Sequence, residues 1–139
     1  MPEKDKIVVK SITKNLADVR EFVEKAAVKY ELKPEEISKI VLSVDEACTN
    51  IIKYSHKYNN NKSIEILIDK NNNTLVIEFY YEGLEFNPDS VELTDMKKYM
   101  SEHKIGGLGI QLIKKFMNKI EYEFIIPNRN HLKLIKYLS

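Results

Sequence analysis

The sequence predicts a single α+β domain, a two-layer sandwich in which helices cover one face of a mostly antiparallel sheet. Segments with helical and strand periodicity come in separate blocks, in the order β-α-α-β-β, a long connection, then α-β-β. Short turn sequences separate the strands within each pair, as in hairpins. A chain of 139 residues is long enough for one hydrophobic core, so we treat 1–139 as one domain.

The first half of the chain predicts a strand and two helices. A short β-branched segment, 7–12, is the first strand. Apolar residues at helical spacing then follow Asn15, the expected N-cap, and end near Tyr30. The second helix begins at Pro34, with two glutamates in its first turn, as the helix dipole favours. It carries a broad apolar stripe: Ile37, Ile40, Val41, Val44, Ala47, Cys48, Ile51 and Ile52.

Two strand pairs complete the predicted sheet. Alternating isoleucines and a β-rich return segment predict a hairpin over 63–81, with an asparagine turn at 71–73. The last strands are expected at 120–126 and 132–138, joined by a turn at 128–130.

The periodicity fades between 82 and 105. This segment contains one expected helical turn, at 95–100, and many charges. Connections of this length inside a compact domain are usually lids or binding loops. We therefore expect a lid at about 84–105.

Composition limits the classes of protein to which the chain can belong. The net charge is +1 and basic residues alternate with acidic ones, which gives no indication of nucleic-acid binding or of an anionic membrane surface. Cys48 is the single cysteine, so no internal disulfide forms. No apolar run approaches the ~20 residues of a membrane span, and residues 1–6 are too charged to open a signal peptide. We expect a cytoplasmic protein.

Three of the four glycines stand within four positions, at Gly106, Gly107 and Gly109. An apolar-patterned helix follows from Ile110. Glycine permits close approach of the backbone, and a helix N-terminus offers unpaired N–H groups and a positive dipole end. The cluster therefore predicts an anion site, most simply for phosphate, with a plain flexible helix entry as the alternative.

The second helix carries two polar residues on one face. Glu46 and Asn50 are one turn apart, roughly opposite the centre of the apolar stripe. A carboxylate can act as a general base, and a carboxamide oxygen suits Mg²⁺. The alternative is that both side chains are simply solvated. Cys48, on the core side, is expected to be a small buried hydrophobe.

These two segments together resemble a known superfamily. Residues 44–54 resemble the N-box helix of the GHKL ATPases, and residues 106–110 resemble their second glycine box. The nearest branch is that of the anti-sigma-factor serine/threonine kinases. The order of elements across nearly the whole chain is similar as well, so the resemblance implies a Bergerat-type ATP-binding fold.

The resemblance implies a role for each matching residue. Glu46 matches the glutamate that activates the attacking hydroxyl or water, and Asn50 matches the asparagine that holds Mg²⁺ on the phosphates of ATP. The glycines match the two glycine boxes, Gly83 the first, and Gly106, Gly107 and Gly109 the phosphate-contacting second.

The chain departs from this pattern at the expected adenine site. Tyr81 stands where the superfamily has an aspartate that accepts a hydrogen bond from adenine, and Glu82 is one position off, on the other strand face. Tyr81 could bond or stack on the base, or it could fill the pocket. On the last strand Asn130 begins the segment where a threonine is common, and His56 is expected at the surface.

The resemblance implies two alternative functions. The first is a Mg-ATP-dependent protein serine/threonine kinase, a homodimer that phosphorylates a small STAS-type antagonist protein and regulates a sigma factor. The second is a degenerate binding module that keeps the fold and the partner surface but binds nucleotide weakly, with altered preference, or not at all.

Overall fold

The computed structural model describes residues 4–86 and 106–138. Its centre is a five-stranded sheet of order β1-β2-β3-β5-β4, in which all neighbours are antiparallel. The strands are β1 (Asp5–Lys10), β2 (Ser63–Asn71), β3 (Thr74–Glu82), β4 (Lys119–Ile125) and β5 (Arg129–Tyr137). The predicted α+β class and the predicted 63–81 hairpin are confirmed, and Asn72 takes the left-handed conformation that its turn requires.

Three helices pack on one face of this sheet: α1 (Leu16–Lys29), α2 (Pro34–Asn50) and α3 (Gly106–Phe116). Pro34 occupies the first turn of α2, followed by two glutamates, as the sequence predicts. A π-helical segment, Ile51–Ser55, extends α2 by one wide turn.

The hydrophobic core lies between the two layers. Alternate residues of the strands point into it, because successive side chains of a strand face opposite sides. Ile66 on β2 and Phe79 on β3 are fully buried, and so is Ile113 on α3. Cys48 on α2 is also fully buried, as expected.

The sequence prediction of the first strand is wrong by two residues at each end. β1 covers Asp5–Lys10, and Ser11 leaves the ladder with its N–H bonded to the carbonyl of Lys62. Asn15 precedes α1 but does not cap it with its side chain. Its amide instead donates to the carbonyl of Lys10, 3.0 Å away, so the residue ties the helix start to the strand end.

The turn between the last two strands also differs from its prediction. It falls at 126–128, whereas Arg129 and Asn130 already belong to β5 and pair with Ile125 and Phe124. An asparagine-rich segment is typical of a turn, but here the antiparallel ladder extends into it. The peptide bond between Ile126 and Pro127 is cis.

The helix after the glycine cluster begins earlier than predicted. α3 starts at Gly106, so Gly106, Gly107 and Gly109 are its first turn rather than a loop before it. None of the described glycines has a positive φ. Most of the expected lid, 87–105, with its helical turn at 95–100, lies outside the described residues.

Within the described part of the chain, none of the helices combines the length and the apolar character needed to cross a membrane.

Candidate functional site

Asn50 is buried, so the alternative in which its side chain is simply solvated is wrong. Its side chain is 1% exposed, and neither its amide nitrogen nor its amide oxygen has a hydrogen-bond partner among the described residues. Such groups are rare in folded proteins, since an unpaired buried amide costs roughly 1–3 kcal/mol. An orphaned amide of this kind is what a polar ligand or metal ion would satisfy.

The third helix packs against α2, and one contact indicates which face of α2 it meets. The Nζ atom of Lys39, on α2, lies 5.9 Å from the ring centroid of Phe116 at the end of α3. Lys39, Glu46 and Asn50 are seven and then four residues apart, so they share one face of α2. α3 packs along α2, and we infer from the position of Phe116 that the glycine-bearing N-terminus of α3 lies toward the Asn50 end.

Glu46 is partly buried on the same face. Burial raises the pKa of its carboxyl group, the neighbouring charge of Asp45 raises it further, and Lys53 opposes both. A carboxylate with a raised pKa is a better proton acceptor near neutral pH than an ordinary surface glutamate. Glu46 is therefore suited to the general-base role that the resemblance implies.

Gly83 has a structural reason to be glycine. A Cβ atom at this position would lie 2.6 Å from Oγ of Ser55 and 2.9 Å from the carbonyl oxygen of Ser55. The segment after β3 is bonded to the same turn, because the N–H of Leu84 donates to the Ser55 carbonyl and Oγ of Ser55 donates to the Leu84 carbonyl. Gly83 thus allows the end of β3 to approach the end of the helix extension.

His56 is buried, and its predicted surface position is wrong. It is 3% exposed, and its Nδ1 lies 2.7 Å from Oγ of Ser11. Burial lowers the pKa of its imidazole, which favours the neutral ring. The sequence does not indicate this burial, because Ser11 and His56 are far apart along the chain. They meet where the end of β1 lies beside the helix extension.

Tyr81 points into the core between sheet and helices. It is 4% exposed, its ring meets that of His56 edge-on at 6.0 Å between centroids, and its hydroxyl donates to the carbonyl of Phe86 over 3.4 Å. Burial raises its pKa, so the phenol stays protonated. Tyr81 could bond to a base, stack on it or fill the pocket, and in the structure its side chain fills the space beside β3.

Asn130 and Tyr122 complete this end of the site. The Tyr122 hydroxyl donates to Oδ1 of Asn130 and accepts from the N–H of Phe86, 3.1 Å away. The amide nitrogen of Asn130 donates to the carbonyls of Tyr81 and Gly83, at 3.3 and 3.2 Å. Tyr122 was missed by sequence reasoning because it occupies an ordinary inward position of a strand.

The donor set fits a magnesium ion held jointly with phosphate. No group of three His, Cys, Asp or Glu side chains able to hold a metal occurs in the described segments. Asn50 offers one neutral oxygen, the ligand type that Mg²⁺ accepts while it keeps waters and phosphate oxygens. The buried, partnerless amide of Asn50 therefore fits an ion whose other ligands arrive with a nucleotide.

Comparison with known proteins agrees with the fold and the motifs. The chain is 27% identical over 114 residues to the serine-protein kinase RsbW of Bacillus subtilis (strain 168), covering 76% of this chain and 67% of RsbW. The crystal structure of the SiaB–SiaC complex from Pseudomonas aeruginosa contains a similar fold, with a TM-score of 0.67 at 13% identity, over 94% of this chain and 87% of that one.

A family model also matches most of the chain. The model described as a histidine kinase-like ATPase domain matches residues 9–136, which include every strand and helix above except the first part of β1, before Val9, and the last residue of β5. The resemblance to the GHKL ATPases is thereby confirmed. The chain belongs to the histidine kinase-like ATPase domain family.

Proposed function

We propose that this protein is a Mg-ATP-dependent serine/threonine protein kinase of the anti-sigma-factor type. The observation that carries the proposal is the face of α2 beneath α3, where a partly buried Glu46 with a raised pKa lies one turn from the orphaned amide of Asn50. The similarity to the serine-protein kinase RsbW supports the choice of serine as the acceptor.

Each residue has a distinct task in this proposal. The Glu46 carboxylate would take the proton of the acceptor hydroxyl as that oxygen attacks the γ-phosphorus and ADP leaves. The Asn50 amide oxygen would be a ligand of Mg²⁺, and the N–H groups of the first turn of α3 would hold the phosphates. Mg-ATP, when bound, supplies the transferred phosphoryl group and neutralises its charge. Positioning and charge neutralisation do most of the work in phosphoryl transfer.

The partners and setting follow from the same proposal. The acceptor would be a STAS-type antagonist protein, and the unphosphorylated antagonist would compete with a sigma factor for the kinase. We propose a cytoplasmic homodimer, as the resemblance implies, with no direct contact to nucleic acid or membrane.

A degenerate binding module is the second candidate, and Tyr81 favours it. A side chain 4% exposed stands where the superfamily has its adenine-binding aspartate. Tyr81 is part of the hydrophobic core, so this space is filled by the chain itself. A protein that binds no nucleotide would therefore keep the same core. In that case the protein would act through binding alone.

Two measurements separate the candidates. Titration calorimetry with ATP, with and without Mg²⁺, tests binding, and transfer of radiolabelled γ-phosphate to a purified STAS-domain antagonist tests catalysis. The kinase proposal predicts Mg²⁺-dependent binding and labelling of a serine or threonine. Absence of ATP binding at millimolar concentration would reject the kinase and leave the binding module.

The variant Glu46→Gln tests the catalytic assignment. It keeps the size of the side chain and removes its basicity, so we expect transfer to fall by about 10²–10⁴-fold while the affinity for Mg-ATP changes little. Glu35→Gln, an exposed change in the first turn of the same helix, is the matched control and should leave transfer unchanged. Loss of ATP binding in Glu46→Gln would instead show that Glu46 is part of the binding site.

A further inference from the structure

The two ends of the site differ in how well their polar groups are satisfied. At the α2 end, both amide atoms of Asn50 are buried without a partner in the part of the chain that the structure describes. At the carboxyl end of β3, the hydroxyls of Tyr81 and Tyr122 and the amide of Asn130 all bond within the chain. A ligand can therefore gain hydrogen bonds to these buried groups only at the α2 end.

Among the residues that the structure describes, no carboxylate at the β3 end is turned toward the helices. Glu82 follows Tyr81 but is exposed on the opposite side of the strand. Glu78, four residues before Glu82 on that same outer face, is bonded to Lys4 and His131. Burial raises the pKa of the Tyr122 hydroxyl, the backbone of Phe86 lowers it, and the charge of Glu85 raises it. Glu85 is therefore near Tyr122, but the side chain of Glu85 is exposed.

The Nε2 atom of His56 is also buried at this end and lacks a well-formed hydrogen bond among the described residues. Burial lowers the pKa of the ring, and the nearby backbone of Glu82 raises it. The chain itself covers the Nε2 atom. The adjacent ring atom, Cδ2, is so close to the backbone of Gly83 that a Cβ there would lie 2.9 Å away. The edge of the His56 ring is therefore closed off by the strand end.

We propose that this site recognises the polyphosphate–magnesium end of its ligand and does not read the nucleobase. The proposal rests on the function proposed above, in which the base of a nucleotide lies at the carboxyl end of β3. Selection of a base needs buried polar groups that stay unpaired when the wrong base binds. Tyr81 removes that possibility here, because its ring fills the space and its hydroxyl is bonded to Phe86. Tyr81 is thus the residue to which we assign the lack of selection between bases.

Titration calorimetry of the whole chain with Mg²⁺ and three ligands, ATP, GTP and inorganic tripolyphosphate, tests the proposal. We expect the affinities for ATP and GTP to agree within about threefold, which is less than 1 kcal/mol. Tripolyphosphate should bind within about tenfold of ATP. An ATP affinity at least tenfold above that for GTP would overturn the proposal and leave the kinase function standing. Binding of none of the three would reject both.

Single substitutions test which residues determine these ligand affinities. Asn50→Ala should weaken all three ligands by the same factor, whereas Ser38→Ala, an exposed change on the same helix, should weaken none. Tyr81→Phe removes only the hydroxyl and should leave the ratio of ATP to GTP affinity unchanged. A shift of that ratio by tenfold in Tyr81→Phe would show that the hydroxyl reads the base and would contradict the proposal.

The reciprocal variant, Tyr81→Asp, opens space at the strand end and introduces a carboxylate that can accept from the adenine amino group. We expect it to favour ATP over GTP. If Tyr81→Asp does not fold, the comparison of the three ligands with the unaltered protein and with Tyr81→Phe still decides the question.

Discussion

Asn50 combines a cost in stability with a capacity to bind. Its side chain is 1% exposed and has no hydrogen bond to any described residue, so the ligand-free protein bears the penalty of a desolvated polar group. Natural proteins keep such groups mainly where function needs them. Stability and ligand binding should therefore respond in opposite directions when the amide is removed.

The variant Asn50→Leu tests this expectation. Leucine has a similar volume and no polar atoms, so we expect the free energy of unfolding of the ligand-free protein to rise by about 1 kcal/mol. Stabilisation by Mg-ATP should disappear at the same time. Urea denaturation with and without Mg-ATP measures both, and a less stable Asn50→Leu would show that the amide is satisfied in solution.

Gly83 illustrates a residue fixed by close packing. We expect Gly83→Ala to destabilise the fold by about 1–3 kcal/mol, since the new methyl group would meet Ser55 at 2.6 and 2.9 Å. The double variant Gly83→Ala/Ser55→Ala removes the nearer contact but not the carbonyl contact, so it should recover part of the loss. Chemical denaturation provides the values. A neutral Gly83→Ala would mean that the strand end moves freely away from the helix extension.

At the scale of elements, the outer face of the sheet holds a buried carboxylate that the core does not need. Glu78 on β3 is 6% exposed and accepts from Lys4, from Tyr80 and from His131 on β5. The rings of Tyr80 and His131 stack with centroids 4.2 Å apart and shield it. This cluster ties the chain before β1 to the central strands.

The cluster makes stability depend on pH. Burial alone would raise the pKa of Glu78, but the hydrogen bonds from Lys4, Tyr80 and His131 outweigh it and lower the pKa to about 2. The folded protein thus holds this proton less tightly than the unfolded chain, whose value is near 4.5. The stabilisation is fully present above pH 4.5 and is lost as the pH falls toward 2.

Denaturation at several pH values checks this prediction. Between pH 6 and pH 3 the unaltered protein should lose more free energy of unfolding than Glu78→Gln, which carries no titrating group there. Glu65→Gln, which removes the 3.8 Å ion pair of β2 with Lys6 at the surface, is the control and should behave like the unaltered protein. Equal pH dependence in all three proteins would refute the assignment.

Helix packing also decides the site at this scale. α3 packs against α2, and we infer from the contact between Lys39 and Phe116 that it meets the face carrying Glu46 and Asn50, the proposed base and the proposed metal ligand. The glycines stand in the first turn of α3, whose N–H groups are the proposed phosphate donors. The proposed phosphate site is therefore a property of two helices rather than of one motif.

For the whole molecule, the ligand should act as a stabiliser. A ligand that binds only the folded state at 100 times its dissociation constant raises the free energy of unfolding by about 2.7 kcal/mol. We expect this shift with Mg²⁺ and ATP together and a smaller one with ATP and EDTA, because Asn50 contributes through the metal. A thermal-shift titration measures this stabilisation. An equal shift in both buffers would show that Asn50 is not a ligand of the metal.

Much of the fold was predictable because its signals are local. Alternating isoleucines in β2 and helical spacing in α1 and α2 predict the elements, and their order predicts the two layers. The errors lie at boundaries, at β1 and at the turn before β5, where hydrogen bonds to distant segments decide the end of a strand. The predicted surface position of His56 is wrong for the same reason, since its burial depends on segments that are distant in sequence.

The sequence by itself determined the family and the element order, and it placed Glu46 and Asn50 one turn apart on a helix, since these features depend on residue types at fixed spacing along the chain. Only the tertiary structure decided that Asn50 is buried without a hydrogen-bond partner among the described residues, and that the hydroxyls of Tyr81 and Tyr122 and the amide of Asn130 are bonded within the chain at the end of β3. Burial and hydrogen-bond satisfaction depend on which segments meet across the fold, and spacing along the chain does not contain that information.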